Sequence, residues 1–505
     1  MLKDNMHRLR CTISLRLIAL SVAFATAWLA SNGTAADDVR PIGTRRSAVD
    51  LAADCHAVAD PKSIPGKGVF SAEDEAFLDD LTRRGVMFFV DEANPDTGLM
   101  PDRARADGGA SNDVASIASV GFGLTSLCIG VERGWISRDD AYNRCWKVLR
   151  FLRDRAPQER GHFYHFLDMR TGQRMWNCEV SNIDTALLMA GVLTVRQYFP
   201  NTQLSALANE LYERVEWPWL TREGGSLSMG WKPEAADDVE PGAANNKTNG
   251  GFLGARWSHF NEGALIYLLG MGSKTHPLPA SSWESWKREP VIEYAGLKFI
   301  QCPPLFTHQY PWCWYDVRGL RDNHANYFHN SQLATIAQRQ WTIDELSKKF
   351  PTYGPNLWGL TASDFNGGYT AWGGPPQQGD VDGTVVPCAP GGSLAFAPRI
   401  CVDALRHMKA QYGAKGYLKY GFVDAFNPAT GWYNKDVIGI DVGATVLMAE
   451  NARSGFVWKI FMSSEEAQAG LKAAGFRAVS PHEAGNMTTS VFDGAVPQSS
   501  SGNGN

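Results

Sequence analysis

The sequence predicts an all-α protein built as two concentric helical layers, and three observations carry that prediction. Six times a short polar cluster leads directly into an apolar run at helical spacing, the pattern of a buried helix with a capped start. Between these runs lie more polar amphipathic stretches, which suit half-exposed helices. No Pro/Ser/Gly linker breaks the chain between about Ser71 and Gly475, so the 505 residues read as one large domain. Buried and half-exposed helices in alternation suggest an inner ring wrapped by an outer one. If the inner helices all start at one end, their polar junctions converge on a single cavity.

The elements follow in order. Residues 1–36 read as an export signal: Lys3, Arg8, Arg10 and Arg16 form a basic start, Leu17–Ala30 is apolar but short for a membrane span, and Gly33–Ala36 offers small residues for cleavage. A retained anchor is the alternative; cleavage places the mature chain in the periplasm or outside the cell. Residues 37–70 form a polar, irregular leader, and 71–478 the helical domain. Its predicted inner helices are Val114–Leu127 after Asn112-Asp113, Ala186–Val195 after Ser181-Asn182-Ile183-Asp184, and Ala264–Leu269 after Asn261-Glu262. The other three are Leu333–Ala337 after His329-Asn330-Ser331, Ile400–Met408 after Pro398-Arg399, and Val442–Ala449 after Asp441. Outer helices are expected at Glu73–Phe89, Arg138–Leu152, Leu204–Val215, Ala414–Phe422 and Glu465–Ala473. Glu234–Gly250 looks like a surface-loop insertion. Thr352–Pro398 holds ten Gly and six Pro, too irregular for helix, and reads as a long ordered loop over one face. Residues 479–505 end in Ser-Ser-Ser-Gly-Asn-Gly-Asn and are expected to be disordered.

Composition narrows the function. A net charge of −5 and no Lys/Arg run leave no footprint for nucleic acid or anionic lipid. Seventeen Trp are the more useful clue. About half are expected in the core, and aromatics in loop-like stretches, among them Tyr369, Trp372 and Trp432, suit stacking on sugar rings. Apart from Cys11 in the signal, the cysteines match no zinc ribbon or CxxC motif. Cys128 and Cys401 fall inside apolar helices and read as small buried residues. His162 and His165 lack a third ligand, so no metal is assigned, and no GxSxG elbow, HExxH or P-loop is present.

An acidic, aromatic cavity points to cleavage of a sugar polymer, which needs one protonated and one ionised carboxyl group. Glu262 sits between the aromatic loop Trp257–Phe260 and a strongly apolar helix, where its pKa should rise as a general acid requires. A first-turn Glu stabilised by the helix dipole is the structural alternative. Asp184 closes a Ser-x-x-acid capping box and could serve as cap, functional carboxylate or both, and Glu179 upstream shares that ambiguity. Asp441 precedes an apolar helix and fits a base or a cap equally well. Phe306–Trp312, with His308, Gln309 and Trp312, followed by Asp316 and Arg318, resembles a sugar subsite lining; a buried structural ion pair is the alternative for Asp316 and Arg318. Asp380 and Asp382 fall in the Gly-rich loop and fit turns, with Asp382 also kept as a substrate contact.

These segments together resemble the bacterial endo-β-1,2-glucanase family (glycoside hydrolase family 144, often labelled glucoamylase-like). The matching stretches include Gly98–Arg103 (GLMPDR), Phe163–Gly172 (FYHFLDMRTG), Ile183–Leu188 (IDTALL), Tyr267–His276 (YLLGMGSKTH), Leu305–Tyr310 (LFTHQY), Ala389–Phe396 (APGGSLAF) and Gly421–Asn427 (GFVDAFN). The resemblance implies an (α/α)6 barrel with long ordered loops on the active-site face, and inverting hydrolysis of β-1,2-glucan without a cofactor. It places the functional acids on Glu262 and the Glu179–Asp184 segment, with Asp441 in the base region; Asp102 and Arg103 join the candidate substrate contacts. Two departures bear on substrate: Val442 and Ala444 stand where the family commonly has Gln and Pro, and the Glu234–Gly250 insertion precedes the Glu262 loop. Another glucan linkage, exo action on oligosaccharides and a non-catalytic glycan-binding barrel remain as alternatives. A glucan or oligosaccharide is the expected partner, with no nucleic acid and no membrane once the signal is cleaved.

Overall fold

The computed structural model describes residues 47–53, 63–110, 112–234 and 251–492. The predicted export signal and all but the first residue of the predicted insertion lie outside the described residues. What is described folds as an α/α toroid with short two- and three-stranded sheets in its loops.

The inner wall is made of helices with almost no exposed face. Ile117–Glu132 and Asn182–Tyr198 pack side by side, and no residue from Ile117 to Gly130 reaches solvent appreciably. Their closeness depends on glycine: a Cβ on Gly121 or on Gly191 would lie 2.2 Å from a backbone oxygen of the facing helix. Gly439–Ser454 packs on Ile117–Glu132, and Ala264–Gly272 on Asn182–Tyr198. Outside them lie amphipathic helices. Ala72–Asp91 covers Ile117–Glu132 and Gly439–Ser454, while Arg138–Asp154 lies on Ile117–Glu132 and against Gln203–Glu213, which covers Asn182–Tyr198. Glu465–Ala473 covers Ala264–Gly272.

The structure corrects the predicted layout at several points. Val114–Ser116 is a strand paired with Phe166–Asp168, so the following helix is capped by Ser116 rather than by Asn112-Asp113. His329-Asn330-Ser331 lies inside the helix Tyr327–Trp341, whose cap is Asn326. Ile400–Met408 belongs to the half-exposed helix Pro398–Gly416, which packs on Ala72–Asp91. There the buried Asp74 binds Arg399 and Arg406 at 2.8 and 2.6 Å. That helix runs to Gly416 and gives way to the hairpin Tyr417–Leu418/Gly421–Phe422, so no separate helix spans 414–422. Two short buried helices, Tyr310–Trp314 and Cys388–Gly391, contact Gly439–Ser454 instead. The second lies within the stretch read as loop, most of which from Val385 to Ala397 is buried core.

At the ends, Ala48–Ala52 is a helical turn that buries Leu51 within the stretch read as leader. The chain also continues past Ala478: Arg477–Ala478 pairs with Leu320–Arg321, Pro481–Asn486 is helical, and Val491 and Phe492 are buried. Ten of the seventeen tryptophans are buried, a little more than the expected half. The seven described cysteines are free thiols, and among the described residues no helix is long and apolar enough to cross a membrane.

Candidate active site

The inner helices do start at one end. Ala118, Asp184, Tyr310 and Asp441, each in the first turn of its helix, and Glu262, two residues ahead of Ala264–Gly272, line a common cleft. The cleft encloses about 1450 Å³, counting the solvent at its mouth, and its walls carry Trp176, Trp257, Phe306 and Tyr369. All four predicted catalytic acids, Glu179, Asp184, Glu262 and Asp441, open onto it. So does Tyr369.

Local sequence explains how each acid is held. Val180–Ser181 pairs with Gly230–Lys232, which ends the strand at Ser181 and starts the helix there. The Ser181 hydroxyl accepts the Asp184 N–H at 3.3 Å and donates to Asp184 Oδ2 at 2.5 Å, so this acid caps its helix and faces the cleft at once. Asn182 receives the Trp257 indole N–H at 2.8 Å and fixes that ring in the wall. Trp176 and Asn177, also in the wall, are both left-handed, with φ of 55° and 51°. Such a conformation is uncommon for a bulky ring, and strain of this kind collects at functional sites.

His165 is a site residue that sequence reasoning missed. Its main chain is pinned on both sides: its N–H donates to Glu179 O at 3.0 Å, and its carbonyl accepts the Ile117 N–H at 3.2 Å. The ring lies 3.0 Å from Glu179 Oε1 through Nδ1 and 3.4 Å from Asp184 Oδ1 through Nε2, and stacks on Phe166. Burial alone would lower the imidazole pKa, but the Asp184 charge and the Glu179 hydrogen bond raise it to about 9. Against its own burial, Glu179 is drawn down to about 2 by His165. Burial raises Asp184, while His165 and Ser181 oppose that rise. The trio therefore carries an imidazolium between two acids.

Glu262 has no such partner among the described residues. Burial pushes its carboxyl up to about 7, only its own main-chain N–H opposing, and the charge of Asp184 adds to the rise. It is the acid of this cleft suited to hold a proton near neutrality. Asp441 is also raised, to about 6, by burial against the pull of hydrogen bonds with Asp424 and Cys388. Beside it stands a second polar group around Arg103, which binds Asp102 at 3.1 Å and Asp364 at 2.7 Å. Asn434 Nδ2 bridges Asp364 and Asp424 at 2.9 Å each. Asp102 and Arg103 thus sit beside Asp441, as part of this network rather than in the cleft wall.

The other predicted contacts lie elsewhere. His308 is buried, its Nε2 accepts the Cys302 N–H at 3.3 Å, and burial lowers its pKa to about 3. Gln309 donates to Ala389 O and Ser393 Oγ in the core, and Trp312 is fully buried against Tyr327. The Phe306–Trp312 segment nevertheless reaches the cleft, through Phe306 and Tyr310. Asp316 and Arg318 form an ion pair at 2.6 Å that also holds the Ser63 carbonyl and stacks on Trp458, the structural alternative. Trp372 is buried with its indole N–H on Ser363, and Asp382 caps the Thr384 N–H. Both border a separate outer groove that meets the cleft at Tyr369. Trp432 pairs with Asn427 in a hairpin and does not line the cleft. His162 packs against Trp217 and Trp219 away from the cleft, and among the described residues no three potential ligands converge on a metal position.

Known proteins share this fold. A family model described as putative glucoamylase matches residues 254–465. The solved endo-β-1,2-glucanase of Chitinophaga pinensis, in complex with sophorotriose and glucose, is 30% identical with a TM-score of 0.71, over 81% of this chain and 99% of that one. The β-1,2-glucanase of Parabacteroides distasonis is 25% identical with the same TM-score, over 80% of this chain and 60% of that one. The exo-β-1,2-glucooligosaccharide sophorohydrolase (non-reducing end) of Parabacteroides distasonis is 27% identical over 437 residues. That match spans 79% of this chain but only 58% of that relative.

Proposed function

Since the chain belongs to the bacterial endo-β-1,2-glucanase family, glycoside hydrolase family 144, we propose that it hydrolyses β-1,2-glucan to sophoro-oligosaccharides with inversion at the anomeric carbon. The observation that carries this reading is the pairing, in one aromatic-walled cleft, of a proton-holding Glu262 with the separate carboxylate of Asp441. Glu262 gives its proton to the leaving glycosidic oxygen. Asp441 takes a proton from a water on the opposite face of the ring, and that water's oxygen bonds to the anomeric carbon as the old bond breaks. Solvent then exchanges the two protons back. Glu179 and Asp184, held by His165, accept hydrogen bonds from sugar hydroxyls, while Trp176, Trp257 and Tyr369 flank the rings. The basic start and apolar stretch of residues 1–30 support export to the periplasm or medium.

The test is incubation with linear β-1,2-, β-1,3-, β-1,4- and α-1,4-glucans, with products followed by chromatography and the first-formed anomer by NMR. Sophoro-oligosaccharides from β-1,2-glucan alone, released as the α-anomer, support the reading; cleavage of another glucan or of none overturns it. A ladder of chain lengths indicates endo action, and sophorose as the sole early product the exo mode named for one relative. Glu262→Gln should lower kcat by about 10²–10⁴-fold, the usual contribution of a general acid; full activity in that variant would remove Glu262 from the mechanism.

A further inference from the structure

Beside the start of helix Gly439–Ser454 a buried carboxyl oxygen stands without a donor among the described residues. Asp364 takes Arg103 Nη1 at 2.7 Å and Asn434 Nδ2 at 2.9 Å, and Asp102 takes Arg103 Nε at 3.1 Å. Asp424 is 4% exposed and takes the Asp364 N–H and Asn434 Nδ2, both at 2.9 Å and both on Oδ2. Its Oδ1 is buried and meets no donor among the described residues. What lies within hydrogen-bonding reach of Asp424 is the carboxyl of Asp441, whose other side-chain neighbour at that range is the Cys388 thiol. Two buried carboxyls do not face each other at this range without a proton between them.

The surrounding charges do not relieve the pair. Asp102, Asp364, Tyr310 and Tyr369 face it together with Cys388, and Asp436 stands behind Arg103. Arg103 is the cation in this set, already bonded to Asp102 and Asp364. Asp441 occupies the first turn of a sixteen-residue helix, whose N-terminal N–H groups favour the ionised form; Asp424 lies outside any helix.

We infer that Asp424 is the positioning residue for Asp441: it keeps a proton on Oδ1 and donates it to the Asp441 carboxylate. That bond aims Asp441 at the water it activates and keeps it the ionised member of the pair. Burial and the charges of Asp364 and Asp441 hold the Asp424 carboxyl far above its ordinary range, while its hydrogen bond pulls Asp441 down. A carboxylic acid kept neutral so that it can donate is an established device in enzyme sites. The inference rests on the reading of Asp441 as the base.

Asp424→Asn and Asp424→Leu test it. An amide oxygen can still accept from the Asp364 N–H and Asn434, and its Nδ2 then donates where the carboxylic proton did; leucine fills the space and donates nothing. Asp424→Asn should keep kcat on β-1,2-glucan within about tenfold and leave the acid limb of kcat/KM within about half a pH unit of wild type. Asp424→Leu should lose roughly 10²-fold or more in kcat, and any residual activity should show an acid limb at least about one unit higher. An Asn variant as inactive as the Leu variant overturns the inference. So does an Asn variant whose acid limb falls by about a unit, because Asp424 was then an anion.

If the Leu variant fails to fold, the Asn variant alone decides on those criteria. A readout independent of turnover separates this inference from the function it rests on. At a pH above the titration of Glu262, wild type should show an infrared carboxylic-acid band that Asp424→Asn lacks. Its absence in wild type sinks the inference even if β-1,2-glucan is cut, and its presence sustains the shared proton even if no glucan is.

Discussion

Replacing His165 with glutamine removes the cation that bridges Glu179 and Asp184, and its cost can be worked from the two partners. The Glu179 pKa falls from 4.5 to about 2 in the folded protein, and that of His165 rises from 6.5 to about 9. The two shifts overlap in the His165–Glu179 contact, with Asp184 adding to that of His165, so they are not summed. At roughly 1.4 kcal/mol per pKa unit they set an upper figure of about 3 kcal/mol, which partial solvent screening at this cleft reduces to about 2 kcal/mol. The pH dependence follows from the directions. The Glu179 contribution is present above pH 4.5 and fades as pH falls toward 2; the His165 contribution is complete below pH 6.5 and is lost as pH rises through 9. Urea denaturation of wild type and His165→Gln should therefore show a gap of about 2 kcal/mol near pH 6 that closes by about pH 10. A gap that stays constant across this range, or none at pH 6, would refute the charged bridge and leave only a packing role for the ring.

Three other outcomes are expected. Because the proposed mechanism needs Asp441 ionised, above about 6, and Glu262 protonated, below about 7, kcat/KM should follow a narrow bell. Its maximum should lie at about 6.5, and a profile still rising at pH 8 would exclude Glu262 as the acid. Gly191→Ala places a Cβ 2.2 Å from Gly121 O across the inner helix pair; the backbones must separate, at a cost of about 2–3 kcal/mol in thermal or urea unfolding. Arg318→Ala breaks a buried ion pair remote from the cleft. It should destabilise the protein by about 3 kcal/mol while leaving kcat and KM of the folded fraction at wild-type values.

Much of the site was legible because helix starts are written locally. Ser181–Asp184 and Asn261–Glu262 announce a polar junction before an apolar run, and in the structure those junctions sit on the cleft. His165 was not legible. Its role comes from pairing Val114–Ser116 with Phe166–Asp168, which sets the ring beside two acids, one fourteen and the other nineteen residues later. Asp424 and Asp364 were missed for the same reason: one main-chain N–H and one asparagine bring them together across sixty residues. The opposite error has a different cause. His308, Gln309 and Trp312 have the composition of a sugar subsite, yet a glutamine satisfied by Ala389 O and Ser393 reads the same in sequence as one that awaits a hydroxyl. Ile400–Met408 reads as an inner helix on its apolar run, although Arg399, Arg406 and Lys409 tie the helix that contains it to Asp74 and Asp80 outside.

Residue type and spacing identified candidate acids but could not separate their chemistry. Glu179, Glu262 and Asp441 share one cleft, and their carboxyls lie at about 2, 7 and 6: burial raises all three, an imidazolium outweighs it at Glu179, no cation of the described residues opposes it at Glu262, and the Asp424 and Cys388 hydrogen bonds oppose it only in part at Asp441. The proposed division of labour between acid and base therefore rests on neighbours contributed by other helices and loops. Changing His165 or Asp424 should alter it while every candidate acid of the cleft stays in place.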